Sequence, residues 1–431
     1  MRLRPLAPVL ALVFAVSVHA EDDVRHLHGL PGFSGEACAH MALAHLGNKL
    51  DSEAVFELED LDPTLGRGGD EKELAKALEK IGFVRPLHEA KDADELWKEL
   101  TADLAAKRLS AVTIRGSMKL VVLAREGEGE VMVLDPDPTE EVPRIVRRKD
   151  LPLKRIRFEP GPKLLQTVTV KENPSAYDLA AHCRRLRTQL PDKWPVIVER
   201  PFVVTGDSPH LGGIAKNTVR WAVTRLKKDF FEHDPSWFVD VWLFDGKKSY
   251  EEHTAAIFSE TPTTPYGYYS PKWGALIMNI ATGSGTLVHE IVHPFVHENF
   301  PECPTWFNEG LASLFEQCED KDGHIHGRTN WRLTGLKKAI ERGSLPTFEE
   351  LTATSTREFY GDEQPDHYAQ ARYLCYYLQE KGLLVDFWRR FLKDQKSDPT
   401  GYKSLVAVLG ETDMKAFKKR WEEWVLALTF P

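Results

Sequence analysis

Residues 289–300 read HEIVHPFVHENF. If the stretch is helical, His289 and His293 lie one turn apart on the same face. Their ring nitrogens can then meet on one ion at the ~2.0–2.1 Å that zinc requires. Glu290 projects beside them, near the fourth coordination position, where a carboxylate can take a proton from an attacking water. The third ligand must come from elsewhere. Glu309 lies 16 residues past His293, within PTWFNEGLASLFEQC (304–318). Apolar spacing predicts a second helix there, and the short connection ENFPECP returns the chain so that Glu309 comes beside the two imidazoles. Two His and one Glu leave zinc (Zn2+) an open position, which is the arrangement of a catalytic site rather than a closed structural one.

Other nearby residues fit this centre less well. His297 is read as a partly exposed residue at the helix end, because three stacked turns of ~5.4 Å each do not converge on one ion. His324 and His326 fall in the polar stretch CEDKDGHIHG and are read as surface. Pro294 removes an N–H whose partner would be the carbonyl of Glu290. A kink is therefore expected just past the metal, with His293 the ligand open to displacement.

HEIVH followed by WFNEGLA resembles the gluzincins, the peptidase-MA-like metallopeptidases that include thermolysin and aminopeptidase N. The metzincin pattern does not fit, since Val296 and Asn299 stand where it needs Gly and His. The resemblance implies His289, His293 and Glu309 as zinc ligands and Glu290 as general base and acid. It also implies a thermolysin-like zincin fold, with a small sheet, a helical half and the strand GALIMNI along the cleft. Thermolysin-like enzymes carry an Asp four residues after the ligand Glu. Here that position is Ser313, so the usual carboxylate behind the ligand is missing. The family also places a His or Tyr on a later helix to steady the oxyanion. HYAQARYLCYYLQEKG (367–382) resembles that helix, with Tyr368 the first candidate and Tyr360 the second. Tyr373, Tyr376 and Tyr377 read as core aromatics. GALIMNIATGSG lacks the acidic residue with which aminopeptidases hold a free amine, which favours endopeptidase action.

The elements that must position these residues suggest an α+β protein of two domains. The 431 residues, 42% hydrophobic and 28% charged, are ample for a packed core. Residues 21–160 form one region. Helices are predicted at 35–47, 72–83 and 93–107, followed by strands that include a hairpin around a Gly/Glu turn. Residues 161–175 are Pro-containing and read as a linker. Residues 176–431 form the second region: strands at 202–206 and 237–245, an amphipathic helix at 213–231, a hairpin at 266–280, and helices after residue 284.

In the first region GFSGEACAHMALAHLG places Cys38 at a helix start, where the dipole lowers a thiol's pKa. With VVLAREGEGEVMVLDP it resembles the papain-like peptidases that cut leader peptides from bacteriocins. Cys38 and Asp135-Pro136 match that pattern, but Met118 or Lys119 stands at the His position. His40 and His45 lie elsewhere. Without imidazole there is no base to activate the thiol, so a degenerate, catalytically dead domain is expected, one that binds peptides or aids folding.

MRLRPLAPVLALVFAVSVHA (1–20) reads as a secretory signal peptide, with Arg2 and Arg4, an apolar run and a small residue at its end. No other segment is long and apolar enough to span a membrane. A secreted or periplasmic protein is expected. The net charge of −9 without a basic stripe argues against nucleic acid as a partner. Five Cys are an odd number, and Cys303 and Cys318 either pair or are small buried hydrophobes. The expected function is a zinc peptidase acting on peptide or protein substrates. The alternative is a peptide- or protein-binding protein that keeps a peptidase fold without turnover.

Overall fold

The computed structural model describes residues 24–125, 127–137, 143–159, 161, 163–191, 193–361 and 366–430. The signal-peptide reading of residues 1–20 lies outside them. The chain is α+β and divides at residues 192–193 into two compact units.

The first unit opens with helices α1 (Ser34–His45), α2 (Ser52–Glu59), α3 (Glu71–Lys80) and α4 (Ala93–Ala105). Asp51, Asp70 and Asp92 cap the last three by accepting first-turn N–H groups, and Glu73 returns the bond to Asp70. Six antiparallel strands are described in this unit: β1 (Leu87–Glu89), between α3 and α4, and then β2 (Leu109–Ile114), β3 (Ser117–Arg125), β4 (Glu130–Leu134), β5 (Arg144–Arg147) and β6 (Lys154–Phe158). Their spatial order is β1-β6-β2-β3-β4-β5. Successive side chains point to opposite faces. Ala111 and Leu120 therefore pack with α1 and α3, while Val112 and Val121 pack with α4.

The boundary between units differs from the sequence expectation. Helix α5 (Ala176–Gln189) was expected to open the second region, but it belongs to the first unit. Tyr177 and Ala180 pack there with Phe33 and Phe56. The preceding stretch is held by specific bonds: Leu165 N donates to Ile81 O, and Asn48 Nδ2 donates to Leu165 O. Its Pro content signals irregular backbone, and composition alone does not say which side that backbone binds.

The second unit contains β7 (Ile197–Glu199), β8 (Phe202–Gly206), helix α6 (Leu211–Ile214), a π-helical stretch at Ala215–Arg220, and α7 (Trp221–Asp229). The last three make up the amphipathic helix expected over 213–231. Then come β9 (Val239–Phe244), α8 (Lys247–Phe258), β10 (Gly267–Ser270) and β11 (Ala275–Asn279). The sheet order is β10-β11-β9-β8-β7. Strands β8, β9 and β11 run parallel, and β10 is an antiparallel edge. Beyond them lie α9 (Ser284–Asn299), α10 (Thr305–Leu314), α11 (Arg332–Arg342), α12 (Phe348–Ala353), α13 (Thr356–Phe359) and α14 (Asp366–Glu380). A hairpin, β12 (Cys318–Lys321) and β13 (His324–Gly327), interrupts the helical half and was not anticipated.

Helix α9 buries Leu287, Val288, Ile291, Val292, Phe295 and Val296, and Phe295 stacks on Phe231 with ring centroids 5.2 Å apart. That apolar stripe leaves the 289/293 face for the cleft. Helix α10 lies close against α14. A Cβ at Gly310 would fall 3.1 Å from Ala371 O and from Cys375 Sγ, a tight contact that a glycine avoids. Cys303 and Cys318 are not paired with each other.

The first unit also buries two facing carboxylates. Glu36 is fully buried and Glu59 nearly so. Gly69 N donates to Glu36 Oε1 over 2.8 Å, while the other oxygens of the pair have no N–H partner. Cβ atoms at Gly68 and Gly69 would each lie 2.4 Å from a carboxylate oxygen, so a side chain there would have to displace the carboxylates. Burial, with Glu36 alongside, raises the Glu59 pKa. The folded state therefore holds a proton that the unfolded chain releases above the ordinary Glu range, and the pair costs stability as pH rises. Glu59→Gln removes that cost. Its melting temperature relative to wild type should climb between pH 5 and pH 8 in calorimetric scans.

Candidate metal centre

Helices α9 and α10 carry the site. His289, Glu290 and Glu309 are buried, and His293 is half-buried. His289, Glu290 and His293 have potential ligand atoms within 4.8 Å of one another. Glu309 faces both imidazoles, with Oε2 3.3 Å from His289 Nε2 and Oε1 3.9 Å from His293 Nε2. The edge of a tetrahedron built on zinc's ~2.0–2.1 Å bonds is about 3.4 Å, which the His289–Glu309 separation matches and the His293–Glu309 separation, to the other carboxylate oxygen, exceeds. Glu290 is the poorer third ligand. Its Oε2 accepts the Tyr269 N–H of β10 at 2.9 Å and lies 3.8 Å from His293 Nε2. That places it beside the ion's position, braced by the sheet edge.

The donor set fits a cation. Glu309 Oε2 is buried and lacks a well-aligned hydrogen-bond donor, its nearest neighbour being His289 Nε2 at 3.3 Å, and a buried carboxylate oxygen needs a protonated imidazole or a bound cation against it. Electrostatics agree. Burial opposes ionisation of Glu309, yet His293, His289 and the Tyr360 hydroxyl outweigh it and hold the carboxyl at about 2. Burial also disfavours protonated His289, but Glu309 and Glu316 reverse this and lift it well above the ordinary imidazole value. Glu290 goes the other way. Burial raises it more than the two imidazoles lower it.

Helix α9 is continuous from Ser284 to Asn299 despite Pro294, and His293 keeps its place in the cluster. The ring is held from behind, with Nδ1 3.0 Å from Asn308 Oδ1. His297 is exposed one turn further along, outside the donor cluster. His324 is exposed on β13 and pairs with Asp229, while His326 is half-buried 3.3 Å from Glu380.

Both candidate tyrosines border the cleft. Tyr360, at the end of α13, donates to Glu309 Oε1 at 2.6 Å. Tyr368 on α14 lies next to it, ring centroids 6.0 Å apart. Burial and then Glu309 raise both phenols, so both stay protonated donors. Tyr360, placed second by the sequence, makes the 2.6 Å hydrogen bond to Glu309.

Glu316, Arg332 and Asn308 were missed as site residues. Asn308 had a visible signal as the residue preceding Glu309. Glu316 follows the end of α10 and pairs with Arg332 from another helix, a contact that no local spacing reveals. The cleft has a volume of about 1310 Å³ and is lined by β10, the face of α9 bearing the His residues, Trp331 and the two tyrosines.

The Cys38 region differs from expectation. Helix α1 starts at Ser34, so Cys38 lies in its second turn, where the dipole has largely faded. The thiol is fully buried. Burial and then Asp135 push its pKa up, against a smaller opposing effect of Lys119. Lys119 on β3 is itself buried and ion-paired with Asp135. The dipole-lowered thiol anticipated from the sequence is therefore not present.

No family model matches the chain, and no curated protein matches it. The burial of Cys38 has a direct test. Iodoacetamide at pH 8 should leave it unmodified in the folded protein and label it after guanidinium unfolding, as read by peptide mass spectrometry.

Proposed function

We propose that the protein is a zinc-dependent peptidase of the gluzincin type, exported by its N-terminal segment, that hydrolyses peptide bonds in the cleft beside β10. The observation that carries this reading is the convergence of His289 Nε2 and His293 Nε2 on the Glu309 carboxylate, with Glu290 braced next to them. His289, His293 and Glu309 would hold the metal. Zinc, when bound, polarises the scissile carbonyl and acidifies the attacking water.

The remaining work falls to the chain's own groups. Glu290 takes the proton and returns it to the leaving amine. Its raised pKa brings it nearer to working pH than an ordinary carboxylate. The Tyr269 N–H fixes one oxygen of that carboxylate and so sets its direction. Tyr360 and Tyr368 remain protonated and can donate to a developing oxyanion. Strand β10 is a sheet edge on the cleft wall, and such an edge can take an extended peptide as an added strand.

Metal analysis of the purified protein should give one zinc per chain. Glu290→Gln should retain that zinc and lose cleavage of a denatured protein mixture by about 10²–10⁴-fold. Wild type with stoichiometric zinc and no cleavage would favour the binding-protein alternative. Wild type without stoichiometric zinc would remove both the ligand set and the mechanism.

A further inference from the structure

We propose that Glu316 is the positioning residue that sets the tautomer and direction of His289, replacing the carboxylate missing at Ser313. This rests on the zinc reading above. His289 has two ring nitrogens with different neighbours. Nε2 looks toward Glu309, and Nδ1 is buried without a formed hydrogen bond, its nearest carboxylate oxygen being Glu316 Oε1 at 3.3 Å. A carboxylate at Nδ1 keeps the proton there and leaves the Nε2 lone pair for a metal.

Glu316 is itself held on three sides. Arg332 donates to Oε1 at 2.7 Å through Nη2 and to Oε2 at 3.2 Å through Nε, and Asn330 Nδ2 donates to Oε2 at 3.0 Å. Asn330 is fixed in turn by the Tyr373 hydroxyl, which donates to its carbonyl and accepts its N–H.

The fold makes room for this arrangement. A Cβ at Gly285 would lie 2.1 Å from the Glu316 carbonyl oxygen. Gly285 is one helical turn before His289 on the same face of α9, so a missing side chain in the first turn admits the backbone whose side chain reaches the imidazole of the next. Ser313, where a carboxylate would be expected, is fully buried and its hydroxyl has no partner. The other imidazole is treated differently. His293 Nδ1 meets the neutral amide of Asn308. The two ligands thus have unequal support, and the charged one belongs to His289.

The test is zinc affinity of the full-length protein, measured by competition with a chromophoric chelator, together with the absorption spectrum of the cobalt-substituted site. Glu316→Gln should weaken zinc binding by about 10–100-fold and shift the cobalt bands. Glu316→Asp, which keeps a carboxylate, should recover most of both. Zinc binding by folded Glu316→Gln within twofold of wild type would overturn the proposal. If Glu316→Gln does not fold, Arg332→Gln serves instead. It keeps the carboxylate but frees it, and should weaken zinc in the same direction by a smaller factor; unchanged affinity would again overturn the assignment. A wild type that binds no zinc would refute the metal reading itself, a result distinct from equal binding by wild type and variant.

Discussion

Everything in the second unit is arranged around one constraint: five ionisable side chains, buried or half-buried, crowd within a few ångströms and must satisfy one another. His289, Glu290, His293, Glu309 and Glu316 have little water to solvate them. Isolated charges in such a place cost several kcal/mol each. The cost falls because carboxylates and imidazoles alternate: Glu316, His289, Glu309, His293, Glu290, with separations of 3.3–3.9 Å. A divalent cation would complete the pattern, because Glu309 Oε2 is buried without a well-aligned donor.

Holding such a cluster takes rigid elements on several sides. Helix α9 is fixed by its apolar stripe, and Phe295 stacks on Phe231. Helix α10 is fixed by Trp306, whose indole N–H donates to Thr400 O at 2.9 Å, and by the close approach at Gly310. The edge strand β10 contributes a backbone N–H to Glu290. Arg332 reaches Glu316 while lying over the Trp331 and Tyr368 rings, 4.2 and 5.2 Å from their centroids. The same guanidinium therefore touches both the support of His289 and the cleft wall.

The first unit answers a similar problem without an accessible site. Lys119 and Asp135 neutralise each other in the interior beside Cys38, and the thiol is sealed from solvent. A buried ion pair and a buried thiol are compatible with a stable core. They do not give a nucleophile, since a thiol pushed up by burial stays protonated. Glu36 and Glu59 are the opposite case, like charges forced together, and they can coexist only by sharing a proton.

Local periodicity in the sequence determined much of this protein. The spacing of His289, Glu290 and His293 on one helix, the helix carrying Glu309, the hairpin of β10 and β11, and the α+β class were all legible, because helix and strand repeats are short-range properties. Pro294 was legible as a disturbance, and the helix is continuous through it. Tertiary structure alone decided the rest. Helix α5 joined the first unit because Tyr177 found Phe33 and Phe56, partners more than 100 residues away. Tyr360 reached Glu309 across 51 residues. Glu316 came to His289 because Gly285 left a gap and Arg332 and Asn330 filled the other side. Such contacts depend on which surfaces meet after folding, and that information is spread over the whole chain rather than written in any one stretch of it.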